Sequence, residues 1–270
     1  MEKINQLKSK FKSYNLDGYL IPKNDEYFNE YVPDHKDDLK YITNFSGSYG
    51  FALILKKKNY LFVDGRYTVQ AHKQSGANFK IINIPLTKIK VNLNIKNKKI
   101  GFNPKLFNEN SLKQFSKKFG FKCVIVANNL VRSIKKEKYK QKFKIKPFYV
   151  LDKSVTGKNC LNKIENLKKT FNKKNIDIML ITSSENIAWL LNIRGHDSKY
   201  SPIPNSFLII DKRLRIFLFC DLKKIDKKFR RKLGFINIFE IDELQHFINK
   251  VRNKNFLIDK ITCSIFYKNI

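Results

Sequence analysis

The sequence offers no apolar run near the roughly 18 residues that a membrane-spanning helix requires. Its longest candidates, Phe51–Leu55 and Phe207–Ile210, are strand-sized. The first 22 residues carry charges throughout and contain no secretory apolar block. A cytosolic protein is the expectation. Cysteine and histidine are scarce, with four of each. Cys123, Cys160, Cys220 and Cys263 form no C-x-x-C pair, which argues for reduced, buried thiols. His35, His72, His196 and His246 are also scattered, and H-E-x-x-H is absent, which excludes a local zinc cluster. Acidic residues are few, 23 against 55 Lys and Arg, leaving a formal net charge of +32.

That excess resembles the footprint of a nucleic-acid binder, but 47 of the 55 cations are Lys. Arg is the residue favoured for bidentate contacts to bases and phosphates. Lys, Ile and Asn together make up 108 of the 270 residues. All three use adenine- and thymine-rich codons, so the charge follows codon bias rather than a ligand. The hydrophobic share of 42% excludes wholesale disorder.

Ile4, Leu7, Phe11 and Tyr14 follow helical spacing, and Tyr19–Ile21 reads as a buried strand. A helix around Asp37–Phe45 precedes a hairpin of Phe51–Leu55 and Tyr60–Val63. Asp64-Gly65-Arg66-Tyr67 then opens a helix over Thr68–Gln74. The strands Phe79–Ile84, Lys99–Phe102 and Lys122–Val126 follow, with a helix over Asn110–Phe119 before the last. Alternating strands and helices predict an open α/β domain. The Lys-dense stretch Lys135–Lys146 reads as a linker.

A second unit then repeats the first. Leu16–Ile21 has a counterpart in Ile176–Ile181, Tyr41–Gly47 in Trp189–Gly195, Phe51–Leu55 in Phe207–Asp211, and Tyr60–Asp64 in Phe217–Asp221. The shared order, at offsets of 148 to 160 residues, predicts an internal duplication. The second copy continues with a helix carrying Leu222, Ile225 and Phe229, a strand Phe235–Ile238, a helix Asp242–Val251 and a strand Phe256–Ile258. It ends on a strand-like Ser264–Tyr267.

Two motifs bear chemistry. Asp64-Gly65-Arg66 lies where open α/β sheets hold ligands, yet Asp64 as a helix cap with Arg66 in a surface ion pair is the reading the residues favour. Arg194-Gly195-His196-Asp197 follows the only tryptophan, Trp189, and precedes the stiff Pro202-Ile203-Pro204. It could bind a carboxylate or peptide end, or could be a helix C-cap. Ser46-Gly47-Ser48-Tyr49-Gly50 matches neither a nucleophile elbow nor a phosphate loop and reads as a turn. Glu26, Glu30, Asp34, Asp37 and Asp38 form an acidic island, read as a solvated loop that offsets nearby Lys.

Leu16–Pro22, Phe45–Gly50 and Asp64–Tyr67 with Gln70-Ala71 resemble the N-terminal domain of aminopeptidase P, a Xaa-Pro aminopeptidase of the creatinase/prolidase superfamily. Ile187–Gly195 with Asp197 and Pro202, and Leu257–Ser264, resemble the middle domain of its three-domain members. Tyr27 stands where members often carry His, and His196 where the residue is usually small. The resemblance implies two tandem creatinase-N-like α/β domains, 1–148 and 149–270, each a mixed sheet flanked by helices. It implies that catalysis, with two divalent metals that are usually manganese, belongs to a third, C-terminal domain absent from these residues. The chain is then a truncated product or an incomplete sequence, inactive alone, with no catalytic residue, metal or cofactor of its own. Implied partners are that domain, a second subunit and short proline-containing peptides, with no membrane and no specific nucleic acid. Arg66, Arg194, His196 and Asp197 become candidates for lining the substrate entrance or a domain boundary. Asp64, Gly65, Gly47, Gly50, Gly195 and Trp189 would carry the structural motifs. A stand-alone binding protein and a charge-driven nucleic-acid binder are the alternatives.

Overall fold

A computed structural model describes residues 1–85, 91–135 and 145–269. The chain forms two compact units, one of Met1–Glu26 and Val32–Lys142, the other of Tyr27–Tyr31 and Phe143–Ile270. Residues 136–144 of the proposed linker lie outside the described residues.

In the first unit, β1 (Gly18–Pro22), β2 (Gly50–Leu55), β3 (Asn59–Asp64), β4 (Lys80–Ile84), β5 (Lys99–Phe102) and β6 (Lys122–Ile125) form one mixed sheet in the order β4-β3-β2-β1-β5-β6. β1 is buried at all five positions, as expected for an unbroken apolar run at the centre of a sheet covered on both faces. On one face Tyr19, Ile21, Ala52, Ile54, Leu61 and Val63 pack with Ile4 and Leu7 of the first helix, Glu2–Ser9. That helix is shorter than its apolar spacing suggests. Phe11 is buried beyond its end, whereas Tyr14 is 38% exposed. On the other face the helix Glu109–Phe119 sets Phe115 edge-on to Phe51 and Phe62, with centroids 4.9 and 5.3 Å apart.

In the second unit, β7 (Tyr149–Val150) pairs antiparallel with β9 (Ile193–Arg194). The main sheet holds β8 (Ile178–Ile181), β10 (Phe207–Asp211), β11 (Ile216–Cys220), β12 (Ile236–Glu240) and β13 (Phe256–Ile258), in the order β12-β11-β10-β8-β13. Strand for strand this repeats the first sheet without β6. Both central strands run antiparallel to the hairpin strand beside them, β2 or β10, and parallel to β5 or β13.

The duplication extends to a polar clamp. Asp17 donates its N–H to the Lys99 carbonyl (2.8 Å) and accepts the Lys99 N–H on Oδ2 (2.9 Å). Lys56 reaches its Oδ1 at 3.3 Å. Asp177 makes the same bonds to Asn255, at 2.9 and 3.1 Å, and takes Lys212 at 2.9 Å. Each aspartate precedes its central strand by one residue and ties that strand to its parallel neighbour and to the hairpin. The Lys99 amide chiefly lowers the Asp17 carboxyl, and the Lys212 ammonium that of Asp177.

Two expectations for the second copy are corrected. The helix expected after Asp221 divides into a 3₁₀ turn, Leu222–Lys224, and a helix, Lys227–Lys232. Asp221 and Asp226 each offer a carboxylate to backbone N–H groups, so a new N-terminus forms at each. The strand-like Ser264–Tyr267 is instead the start of a short helix, Ile265–Lys268. Ser264 sits at its N-cap, and its hydroxyl accepts from the Tyr267 amide.

Candidate functional site

In the first unit Asp64 ends β3, and its Oδ1 accepts both the Arg66 N–H (3.0 Å) and Arg66 Nε (2.9 Å). These bonds cap the 3₁₀ turn Gly65–Tyr67 and hold the Asp64 carboxyl below its usual range. The Arg66 side chain remains 74% exposed. The Tyr67 hydroxyl lies 2.8 Å from Ser48 Oγ. Gln74 accepts the Ser46 N–H at 2.9 Å, and Gln70 donates to Ser46 Oγ at 2.9 Å. The structure thus joins two motifs that are separate in sequence, the Ser46–Gly50 turn and the Asp64–Gln70 stretch. Glycine is required in that turn for space. A Cβ on Gly47 would lie 2.2 Å from the Phe45 ring, and one on Gly50 would lie 2.6 Å from the Phe62 carbonyl oxygen.

In the second unit the helix Ser184–Leu191 ends at Asn192 in the left-handed conformation. Arg194 Nη1 donates to the carbonyls of Ala188 (3.0 Å) and Ile193 (2.9 Å), placing its cation at the negative helix end. Buried Lys163 donates to the Trp189 carbonyl and to Asn192 Oδ1, both at 2.6 Å, and its ammonium lies 4.4 Å from the Trp189 ring centroid. Burial lowers the Lys163 pKa. Asp197 accepts the Asn205 N–H (2.7 Å) and Lys224 Nζ (2.6 Å), and Gly195 N–H reaches the Pro202 carbonyl at 3.1 Å. The loop is closed by its own bonds. His196 is exposed and lies beside Tyr149, with ring centroids 5.5 Å apart. Arg194 and Asp197 therefore shape the loop, while His196 presents its ring to solvent. Arg66 belongs to the other unit.

The acidic island is only in part the solvated loop expected of it. Glu30 and Asp34 are exposed, as a solvated loop would have them, but Asp37 and Asp38 are only 4% and 1% exposed. Asp38 accepts a hydrogen bond from Asn129 Nδ2 (2.7 Å) and forms ion pairs with Lys135 Nζ (2.7 Å) and Arg132 Nε (3.5 Å). Glu26 pairs with Arg132 and, at 2.9 Å, with Lys36, while Lys23 pairs with Asp37. Burial alone would raise the Glu26 carboxyl, but Lys36 and Arg132 outweigh it and hold the pKa at about 2. Burial pushes the Asp37 carboxyl up against the pull of Lys23. Sequence reasoning missed this network because Arg132 and Lys135 lie about a hundred residues from the acids they neutralise. The only local sign is the interleaving of Lys23 and Lys36 with those acids. Tyr27, at the position where His is frequent, stacks on Phe207 at 5.2 Å within the second unit.

Among the described residues no three or more His, Cys, Asp or Glu are grouped to hold a metal ion. No described helix is long and apolar enough to cross a membrane.

Residues 3–134 match the Creatinase/Prolidase N-terminal domain, and residues 139–270 match a second family of the same description. A Xaa-Pro aminopeptidase of Caenorhabditis elegans is 31% identical over 258 residues, covering 88% of this chain and 41% of its own length. Xaa-Pro aminopeptidase 1 of Dictyostelium discoideum is 28% identical, covering 86% and 39%. The crystal structure of X-prolyl aminopeptidase from C. elegans, described as a cytosolic enzyme with a di-nuclear active site, superposes with a TM-score of 0.82 at 27% identity. It covers 93% of this chain and 44% of its own. The chain thus spans about 40% of the length of the curated relatives it matches. With two matching domains in tandem and one sheet plan built twice, the chain belongs to the creatinase/prolidase family and corresponds to the N-terminal portion of its Xaa-Pro aminopeptidases.

Proposed function

We propose that residues 1–270 form the substrate-access region of a cytosolic Xaa-Pro aminopeptidase, an enzyme that removes the residue preceding an N-terminal proline. The observation that carries this reading is the likeness of both units together to one such enzyme, at a TM-score of 0.82 over 93% of the chain. The two divalent metals, usually manganese, that the family implies do not fit the side chains described here, which offer no grouped donor set. Hydrolysis is accordingly assigned to a catalytic domain outside these residues, and a second subunit to the whole enzyme.

Within this region Arg66 and His196 are the residues free to meet a peptide or a neighbouring domain. The Arg66 head is engaged by Asp64, lies 5.6 Å from the Tyr67 ring centroid and stays exposed, and His196 is exposed. Arg194 and Asp197 are positioning residues, committed to the helix end and to the loop. Incubating the 270-residue protein with manganese and an Xaa-Pro tripeptide tests the reading. No turnover is expected, and hydrolysis at enzyme-like rates would overturn it.

A further inference from the structure

In the first unit a cavity of about 290 Å³ opens where β1 and β4 end and β2 begins, beside the helix Glu109–Phe119. β1, β3, β4 and β5 all run in one direction. The cavity therefore lies at the carboxyl ends of parallel strands, where open α/β sheets hold ligands. Arg66, the candidate residue of this unit, does not line it, so its ligand is independent of the access role proposed above.

Leu20, Phe51, Leu112 and Phe115 give the cavity apolar walls. Phe51 stacks on Phe62, with centroids 4.5 Å apart and planes 9° from parallel, and Phe115 stands edge-on to both. Phe62 is fully buried, but Phe51 is only half-buried and lines the cavity. One more ring can join this cluster at Phe51, in the offset-stacked or edge-on geometry that aromatic pairs favour. The volume suits that ring and a short polar tail, since about 150 Å³ accommodates a benzene.

Among the described residues Lys23 is the only charged residue lining the cavity, and Asp37 takes its ammonium. No carboxylate lines it, so a cation finds no counter-charge there, in a chain of net charge +32. The other polar side chains, Asn24, Tyr49, Ser111 and Gln114, are neutral. Neither the Tyr49 hydroxyl nor the Gln114 amide makes a hydrogen bond among the described residues. Both groups can donate as well as accept.

We propose that this cavity binds a neutral aromatic amide, with the ring against Phe51 and the amide at the rim with Gln114 and Tyr49. The aromatic wall selects an aromatic over a saturated ring, and the lack of a counter-charge selects a neutral over a cationic tail. A small aromatic amide and an aromatic residue within a peptide both offer this chemistry.

Phenylpropanamide titrated into the 270-residue protein, followed by calorimetry and ligand-observed NMR, should bind saturably below about 10 mM. Phenylpropylamine, which carries the same ring on a cationic tail, should bind at least about tenfold more weakly. Cyclohexylpropanamide, with a saturated ring, should bind at least about threefold more weakly. Gln114→Trp sets an indole at the cavity mouth and should lower the affinity for phenylpropanamide at least about tenfold. Tyr49→Ala should lower it about threefold. Both substitutions fall on exposed residues, so the circular dichroism should be unchanged. Absence of saturable binding overturns the proposal, as does equal affinity for the amine or the saturated ring. Undiminished binding by both variants also overturns it, by placing the ligand elsewhere. N-acetylphenylalaninamide separates the two sources. Tighter binding than phenylpropanamide assigns the cavity to an aromatic residue of a peptide, and weaker binding assigns it to a free small molecule.

Discussion

An added Cβ at Gly195 would come within 2.7 Å of Pro204 Cα and 2.8 Å of the Ile203 carbonyl oxygen, both backbone atoms. Gly195→Ala should therefore cost about 2 kcal/mol by overpacking the loop, read as a lower midpoint in urea. Gly65, in the sharper-looking sequence motif, has nothing within 4 Å of its would-be Cβ. Gly65→Ala should move the midpoint by no more than about 0.5 kcal/mol. Asp38→Ala strips Lys135 and Arg132 of a carboxylate that is 1% exposed and should cost about 3–5 kcal/mol. Glu26 gives the network a pH signature. Its folded-state pKa of about 2 lies below the ordinary glutamate value of 4.5, so its stabilisation is present above 4.5 and is lost as pH falls towards 2. Glu26→Gln should flatten the dependence of stability on pH over that interval, and an unchanged slope would remove Glu26 as its source.

The elements show what was legible and what was not. The strand cores were visible as apolar runs, because a strand buried on both faces needs no alternation. The repeat was visible because Asp17 and Asp177 do the same work at the same point of each copy. The helix after Asp221 and the terminal strand were misread for one reason. Asp226 and Ser264 act through backbone hydrogen bonds three residues on, whereas hydropathy registers side chains alone. Helix ends also separate residues of the same type. Asn44 and Asn192 both close helices in the left-handed conformation. Asn44 is exposed, so Asn44→Gly should be neutral or stabilising by up to about 1 kcal/mol. Asn192 also binds Lys163, Thr156 Oγ1 and the Lys158 carbonyl, at 2.6, 3.1 and 2.8 Å. Asn192→Gly should cost about 2 kcal/mol or more by thermal melting.

For the molecule as a whole, +32 charges on 270 residues imply self-repulsion that dissolved salt relieves. Raising sodium chloride from about 10 to about 200 mM should raise the melting temperature. A fall would mean that exposed ion pairs outweigh the repulsion. The candidate site was only half legible at this scale. Sequence located Arg66 and the Arg194–Asp197 loop, but not which side chains were already committed. Arg194 is held by backbone carbonyls, and Asp197 by a backbone amide and by Lys224, 27 residues away, partners that carry no local sequence signature.

The segment Tyr27–Tyr31 belongs to the second unit, where Asn29 donates to Asn205 at 2.8 Å and Tyr27 stacks on Phe207. On a ribosome adding about 5–20 residues per second, Phe207 appears roughly 10–40 s after Tyr27. During that interval the nascent first unit holds out an aromatic loop whose receptor has not yet been made. The second unit cannot be completed from its own stretch of message, and a gene cut between the two domain-coding regions would leave the second product lacking part of its interior.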